Sequence, residues 1–229
     1  TEIRQNFQQD QLSHSFTTDE VWVDRKDHQH VFAAYVQDEF TVAPRLTVTG
    51  GVRHDRYSET GSTNLRLAAI FKPRDRTALK FLHGNAFRAP NPYERYYYEG
   101  STDLSPERIT TSEVVWEQYL ATRVRLSASA FYYHASDLIT QIASVDGRDG
   151  FVFANIAEAK APGIEIEAEG AWHEMHMLGS YTFQNVTDVA GNRLNNSPNH
   201  LMRARVTGPI VPRILFFGLE GLCIGDRQS

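Results

Sequence analysis

The sequence predicts an all-β chain: an antiparallel, up-and-down wall of about eleven strands of the kind that closes into a transmembrane β-barrel. Three observations carry that prediction. Apolar and polar residues alternate with period two along most of the chain, and no helical period of convincing length interrupts them. The connections sort by length: tight turns at 43–45, 73–76, 121–123, 173–174 and 208–212 alternate with longer segments at 12–27, 88–110, 141–150 and 186–199, with only 58–63 short on the long side. Membrane barrels put tight turns on one rim and long loops on the other, whereas a Greek-key sandwich has no reason to sort them so. Aromatics also recur near the ends of the apolar faces (Phe40, Phe71, Trp116, Tyr132, Trp172, Tyr181 and Phe183), where an interfacial girdle sits. Glutamate and arginine at every second position also suit the solvated face of a soluble β-sandwich, so that alternative stays open.

The elements follow in order. Residues 2–11 are polar and read as the end of a strand, and 12–27 read as loop, rich in Ser, Thr, His and Asp. From 30 to 40, Phe32, Ala34, Val36 and Phe40 share one face and Tyr35, Gln37 and Glu39 the other. After a turn at Pro44, Leu46, Val48, Gly50 and Val52 oppose Thr47, Thr49, Gly51, Arg53 and Asp55. Residues 65–71 and 77–87 form the next two strands. Beyond the long connection, Val114, Trp116 and Leu120 oppose Glu113, Glu117 and Tyr119. Leu126, Ala128, Ala130 and Tyr132 then oppose Arg125, Ser127, Ser129 and Tyr133. Residues 151–172 make one extended run in which Ile164, Ile166 and Ala168 oppose Glu165, Glu167 and Glu169. Strands at 175–184, 201–206 and 214–222 complete the series.

Composition excludes several classes. No run of about 18 apolar residues exists, so no transmembrane helix is predicted. A charged fraction of 22% fits a barrel whose inner face is polar. The net charge of −5 without a basic stripe argues against nucleic acid. Thr1-Glu2-Ile3-Arg4 shows no cleavable leader, and the single Cys223 allows no internal disulfide and reads as a buried or lipid-side thiol. Phosphate-loop, nucleophile-elbow and dinucleotide patterns are absent, and the prediction is no enzyme, no cofactor and no metal site. The alternating glutamates lack the contrasting environments that a glycosidase pair needs. His28 and His30 share a strand face and could ligate a metal, and His173-Glu174-Met175-His176 is one residue short of a helical zinc pair; both read more readily as plain rim residues.

The most informative stretch is Phe87-Arg88-Ala89-Pro90-Asn91-Pro92-Tyr93-Glu94-Arg95-Tyr96-Tyr97-Tyr98, followed by Asp103-Leu104-Ser105-Pro106-Glu107. Its prolines bar an ordinary ladder strand, and a long connection rich in Tyr and Arg reads as a binding loop. Arg88, Asn91, Tyr93, Arg95, Tyr96, Tyr97 and Tyr98 are the candidate ligand contacts, because Tyr and Arg supply stacking area and hydrogen bonds to an anionic or aromatic chelate. The plainer reading is that Arg88 and Pro90 shape the strand-to-loop transition.

These residues, in this order with 112–118 (SEVVWEQ) and 154–170 (ANIAEAKAPGIEIEAEG), resemble the barrel of TonB-dependent outer-membrane receptors. Two departures stand out: Ser101-Thr102-Asp103 lies where Asn-Pro-Asp is usual, and Ala157 where Gly is common. The resemblance implies a partial barrel, with residues 1–229 forming about eleven strands of a larger plugged barrel in a Gram-negative outer membrane. The plug domain and the segment that engages TonB are missing from these residues. It implies active uptake of a scarce chelate such as a ferric siderophore or cobalamin, with outer-membrane lipid, the plug and the TonB complex as partners. Arg53, Glu113, Glu117, Glu165, Glu167 and Glu169 would then form a polar wall toward the lumen. A passive channel or structural barrel is the alternative within the membrane class.

Overall fold

A computed structural model describes residues 2–14, 19–57, 60–96, 103–120, 123–143 and 151–226, with side chains from residue 30 onward, Tyr96 aside. Eleven strands form one antiparallel sheet in strict chain order. They are β1 (Glu2–His14), β2 (Asp19–Ala43), β3 (Leu46–Tyr57), β4 (Gly61–Arg74), β5 (Thr77–Arg88) and β6 (Glu107–Leu120). β7 (Val124–Ala143), β8 (Phe151–Trp172), β9 (Met175–Gln184), β10 (His200–Val211) and β11 (Leu215–Ile224) follow. One short helix, α1 (Pro92–Tyr96), lies between β5 and β6. Among the described residues no ladder joins β1 to β11, so the sheet is an unclosed wall.

A single layer explains the burial. Among the described residues the buried apolar side chains are Ala78, Leu104 and the prolines Pro90 and Pro106, while Val36 (64% exposed), Ile166 (55%) and Leu219 (70%) lie open. A soluble sandwich would bury such residues between two sheets at a gain of roughly 1.5–3 kcal/mol each. Among the described residues there is no second sheet to receive them, which decides against the sandwich.

Register defines the two faces, because directly paired residues project to the same side. Arg53 pairs with Asn64; two residues on, Arg66 pairs with Gly84; two residues back, Leu82 pairs with Glu113. Ser127 then pairs with both Glu117 and Glu167, Ser129 with Glu165, and Arg125 with Glu169. The opposite face carries Val36, Leu67, Phe81, Trp116, Ile166 and Met202, and also Cys223, which pairs with Met202.

Several boundaries differ from the sequence reading: β4 starts at Gly61 and β6 at Glu107, inside segments read as connections, and four further differences are larger or change an element. Residues 12–14 and 19–27 belong to strands, not to a loop, because β1 and β2 pair from Glu2↔Phe32 to His14↔Asp19. Strands that rise clear of a bilayer need no apolar face, so their composition looks loop-like. β7 likewise continues to Ala143, leaving 144–150 outside the described residues. The predicted turn at 208–212 is shifted: β10 runs through Gly208 and Pro209, and the turn occupies 212–214. Pro209 is tolerated because the β9 ladder ends at Thr207↔His176 and the β11 ladder shifts register between Pro209 and Val211. Finally, the connection after β5 holds a helix where none was expected.

Where glycine is required, close packing is the reason. Gly163 pairs with Phe131, whose ring lies over it, and a Cβ there would also stand 2.7 Å from the Phe183 carbonyl oxygen. Phe131 stacks on Tyr133 at 4.7 Å, so the ring has little room to withdraw.

Candidate functional site

The helix that the proline-rich stretch forms is a capping box. Asn91 Oδ1 accepts from the Glu94 N–H at 2.9 Å, and Glu94 Oε2 accepts from the Asn91 N–H at 2.8 Å. Pro92 opens the helix, where its missing N–H costs nothing, and the Arg95 N–H donates to the Asn91 carbonyl at 3.1 Å. Isolated helices this short do not persist in water, so the turn needs outside support.

Arg88 provides it. Its Nη1 and Nη2 donate to the two Glu94 carboxylate oxygens at 3.0 and 2.9 Å, and its Nε donates to Glu107 Oε2 at 2.5 Å. Glu94 is only 9% exposed. Bidentate guanidinium–carboxylate pairs are the strongest and most directional of the charged hydrogen bonds. The other Glu107 oxygen accepts from the Ile139 N–H at 2.8 Å, which carries the linkage into β7. Arg88 holds the Glu107 carboxyl below the usual carboxylate range, and Glu107 and then Glu94 raise the Arg88 guanidinium further.

Asn155 on β8 closes the arrangement. Its Oδ1 accepts from the Ser105 N–H at 2.8 Å, and its Nδ2 donates to the carbonyls of Ser105 and Asp137 at 2.9 and 2.6 Å. Asp137 has φ of 56° where the β7–β8 register shifts, and that bulge turns its carbonyl to Asn155. The 103–107 segment, α1 and the upper ends of β5, β7 and β8 are thereby one clasp.

The candidate ligand contacts are therefore placed very differently. Arg88 is occupied by two carboxylates, and Asn91 is a helix cap. Tyr93 is 46% exposed, its ring edge-on to Phe153 at 5.7 Å. Arg95 is half-buried on α1. The side chain of Tyr96, and Tyr97 and Tyr98 altogether, lie outside the described residues. Glu94, Glu107 and Asn155 were not among the candidates. The spacing Asn91-x-x-Glu94 signals a capping box, but nothing local reveals the partners of Glu107 and Asn155, which are fixed only when β5 to β8 pair.

On the same face, nearer the tight turns, the charges form a ladder. Lys80 Nζ donates to Glu117 Oε1 at 2.7 Å, and Arg125 reaches Glu117 at 3.6 Å and Glu169 at 3.1 Å and also bonds Glu167. Glu165 accepts from the Thr182 hydroxyl at 2.8 Å. Arg53 bonds Asp55, and Glu113 lies opposite Leu82 and Phe131. His30 is exposed, and the side chain of His28 is outside the described set. His173 and Glu174 form the β8–β9 turn, so their stretch is no helix.

One open antiparallel layer, charged on one face and apolar on the other, is the wall of a β-barrel rather than a packed domain. The chain belongs to the TonB-dependent receptors: residues 3–212 match the family described as TonB dependent receptor-like, beta-barrel. Solved structures share the fold at low identity. The siderophore receptor PirA from Acinetobacter baumannii is 19% identical with a TM-score of 0.70, over 82% of this chain and 32% of that one. FpvA of P. aeruginosa bound to heterologous pyoverdines is 15% identical with a TM-score of 0.70, over 92% and 30%. The alcaligin outer-membrane receptor FauA from Bordetella pertussis is 18% identical with a TM-score of 0.63, over 98% and 46%. The chain thus spans less than half the length of each of these structures.

Proposed function

We propose that this chain supplies the wall and outer loops of an outer-membrane receptor that imports a metal chelate with energy delivered through TonB. The apolar face meets lipid, and the polar face, with Arg53, Glu113, Glu117, Glu165, Glu167 and Glu169, lines the lumen and packs against the plug nearer the tight turns. The observation that carries this reading is the clasp, which holds an exposed Tyr93 on a fixed support at the loop-bearing rim, directly above the charged face. A rim built to hold one shape suits capture of a defined ligand better than free diffusion. The pyoverdine-bound FpvA and the siderophore receptor PirA indicate the ligand class, a ferric siderophore.

The test uses the complete gene product in a Gram-negative host lacking its own siderophore receptors. Uptake of radiolabelled ferric siderophores is measured with and without a functional TonB. Saturable uptake that disappears without TonB is the expected result. Non-saturable entry of small solutes, unchanged by loss of TonB, would replace the receptor with a passive channel.

A further inference from the structure

Next to the clasp, the wall opens. The β4–β5 ladder runs upward to Arg66↔Gly84 and has no Cα partners beyond it. In place of the next rung, Asn85 Oδ1 accepts from the Leu65 N–H at 2.6 Å, and Asn85 Nδ2 donates to the Thr63 carbonyl at 3.4 Å. A side-chain amide has replaced a backbone peptide, so the strands part without leaving those groups unsatisfied. Gly84 sits at the fork, where a Cβ would stand 3.0 Å from the Leu65 carbonyl oxygen.

The parting leaves a cleft of about 410 Å³ lined by Tyr35, Gly51, Arg53, Asp55, Arg66 and Asn85 among others. Its charges are unequal. Asp55 is 3% exposed and takes Arg53 Nε at 2.8 Å and Nη2 at 2.6 Å, so its charge is spent and the guanidinium is fixed. Arg66 is exposed and, among the described residues, makes no hydrogen bond or ion pair. Tyr35 is 77% exposed. One surplus cation, a second guanidinium held in place and an open phenol ring therefore share one hollow. Guanidinium groups bind oxygen anions through paired N–H donors and stack on flat rings, and tyrosine offers such a ring with a hydroxyl.

We propose that this cleft in the inner wall, formed by β2 to β5, is a ligand subsite that takes one anionic, aromatic, oxygen-donor arm of the chelate. Arg66 is the contact that selects for negative charge and Tyr35 the one that stacks. The proposal rests on the receptor reading, and it locates charge selection in the wall rather than in the arginine of the proline-rich loop, whose guanidinium is already held by two carboxylates.

The experiment measures binding of two probes to the complete, detergent-purified gene product: an iron(III) tris-catecholate, which is anionic, and an iron(III) tris-hydroxamate, which is neutral. Arg66→Gln is expected to weaken the anionic probe by about tenfold or more, as loss of a charge-assisted contact does, and to flatten its salt dependence. The neutral probe and thermal unfolding should be unchanged. Tyr35→Ala, at a site that supports no packing, should weaken the anionic probe by a smaller factor. An anionic-probe affinity unaffected by Arg66→Gln overturns the subsite while the receptor reading stands, and equal losses for both probes overturn charge selection. Binding of neither probe by the parent protein would overturn the subsite, while the receptor reading stands or falls on the TonB-dependent uptake.

Discussion

Arg88 and Arg66 lie on the polar face of neighbouring strands, on the same stretch of wall, yet they do opposite things. Arg88 has a carboxylate on each side, and its fork is matched to Glu94 and capped by Glu107. Arg66 faces an open cleft with no partner among the described residues. The lesson is that a guanidinium does not announce its role. A saturated one is a fastener, and an unsaturated one in a concave site is a reader of charge. Both readings have measurable consequences.

The largest effect is expected from breaking the fastener. Glu94→Ala removes an almost buried carboxylate, uncouples the helix cap and leaves Arg88 with Glu107 alone, and should cost about 1–3 kcal/mol locally. Hydrogen exchange of the Arg95 and Ile139 amides should rise together; protection that survives at both would mean that α1 is held by something other than the clasp. Next comes the seam between the two regions. Asn85→Ala leaves the Leu65 N–H without its acceptor and should cost about 1–2 kcal/mol, read as faster exchange at that amide alone.

Acid should act on the clasp. The folded Glu107 carboxyl is held below its ordinary value, first by its hydrogen bond from Arg88. Its contribution is therefore complete above the unfolded-state pKa and is lost as pH falls through the lower folded value. The loop should loosen on acidification into that range, and Arg88→Gln should remove the dependence; a clasp equally protected at both ends of the titration would contradict it. The smallest expected effect is Arg66→Gln on stability, within about 0.5 kcal/mol, measured by thermal unfolding. A larger loss would show that the cleft arginine is itself a fastener, and the contrast would collapse.

Much of the wall was legible because burial in one layer enforces period two: Glu165, Glu167 and Glu169 against Ile164 and Ile166 leave no alternative register. Strand ends were less legible. The polar residues around Asp19 and Asp24 lie in the backbone ladder of β1 and β2, which composition does not record, and Pro209 looked like a stop until its ladder partners were known. The site was legible in position but not in role. The stretch from Phe87 to Tyr98 stands out in the sequence as an unusual connection, and the capping pattern of Asn91 and Glu94 was there to be read. That Arg88 is consumed internally depends on Glu107, brought to it by the β5–β6 pairing, with Ile139 and Asn155 following through β7 and β8. The cleft left no local signature, since it arises from a rung that is missing between two strands.

The strict sequential order of the strands has a consequence for how such a wall is made and changed. Among the described residues every ladder joins strands adjacent in the chain, so each pairing closes only the connection between two neighbours, and the entropic toll of pairing distant segments is avoided within this wall. A hairpin can then be duplicated, deleted or exchanged between relatives without rethreading any other. In that arrangement the rim connections are free to diversify one at a time, while the rungs beneath them keep the same grammar.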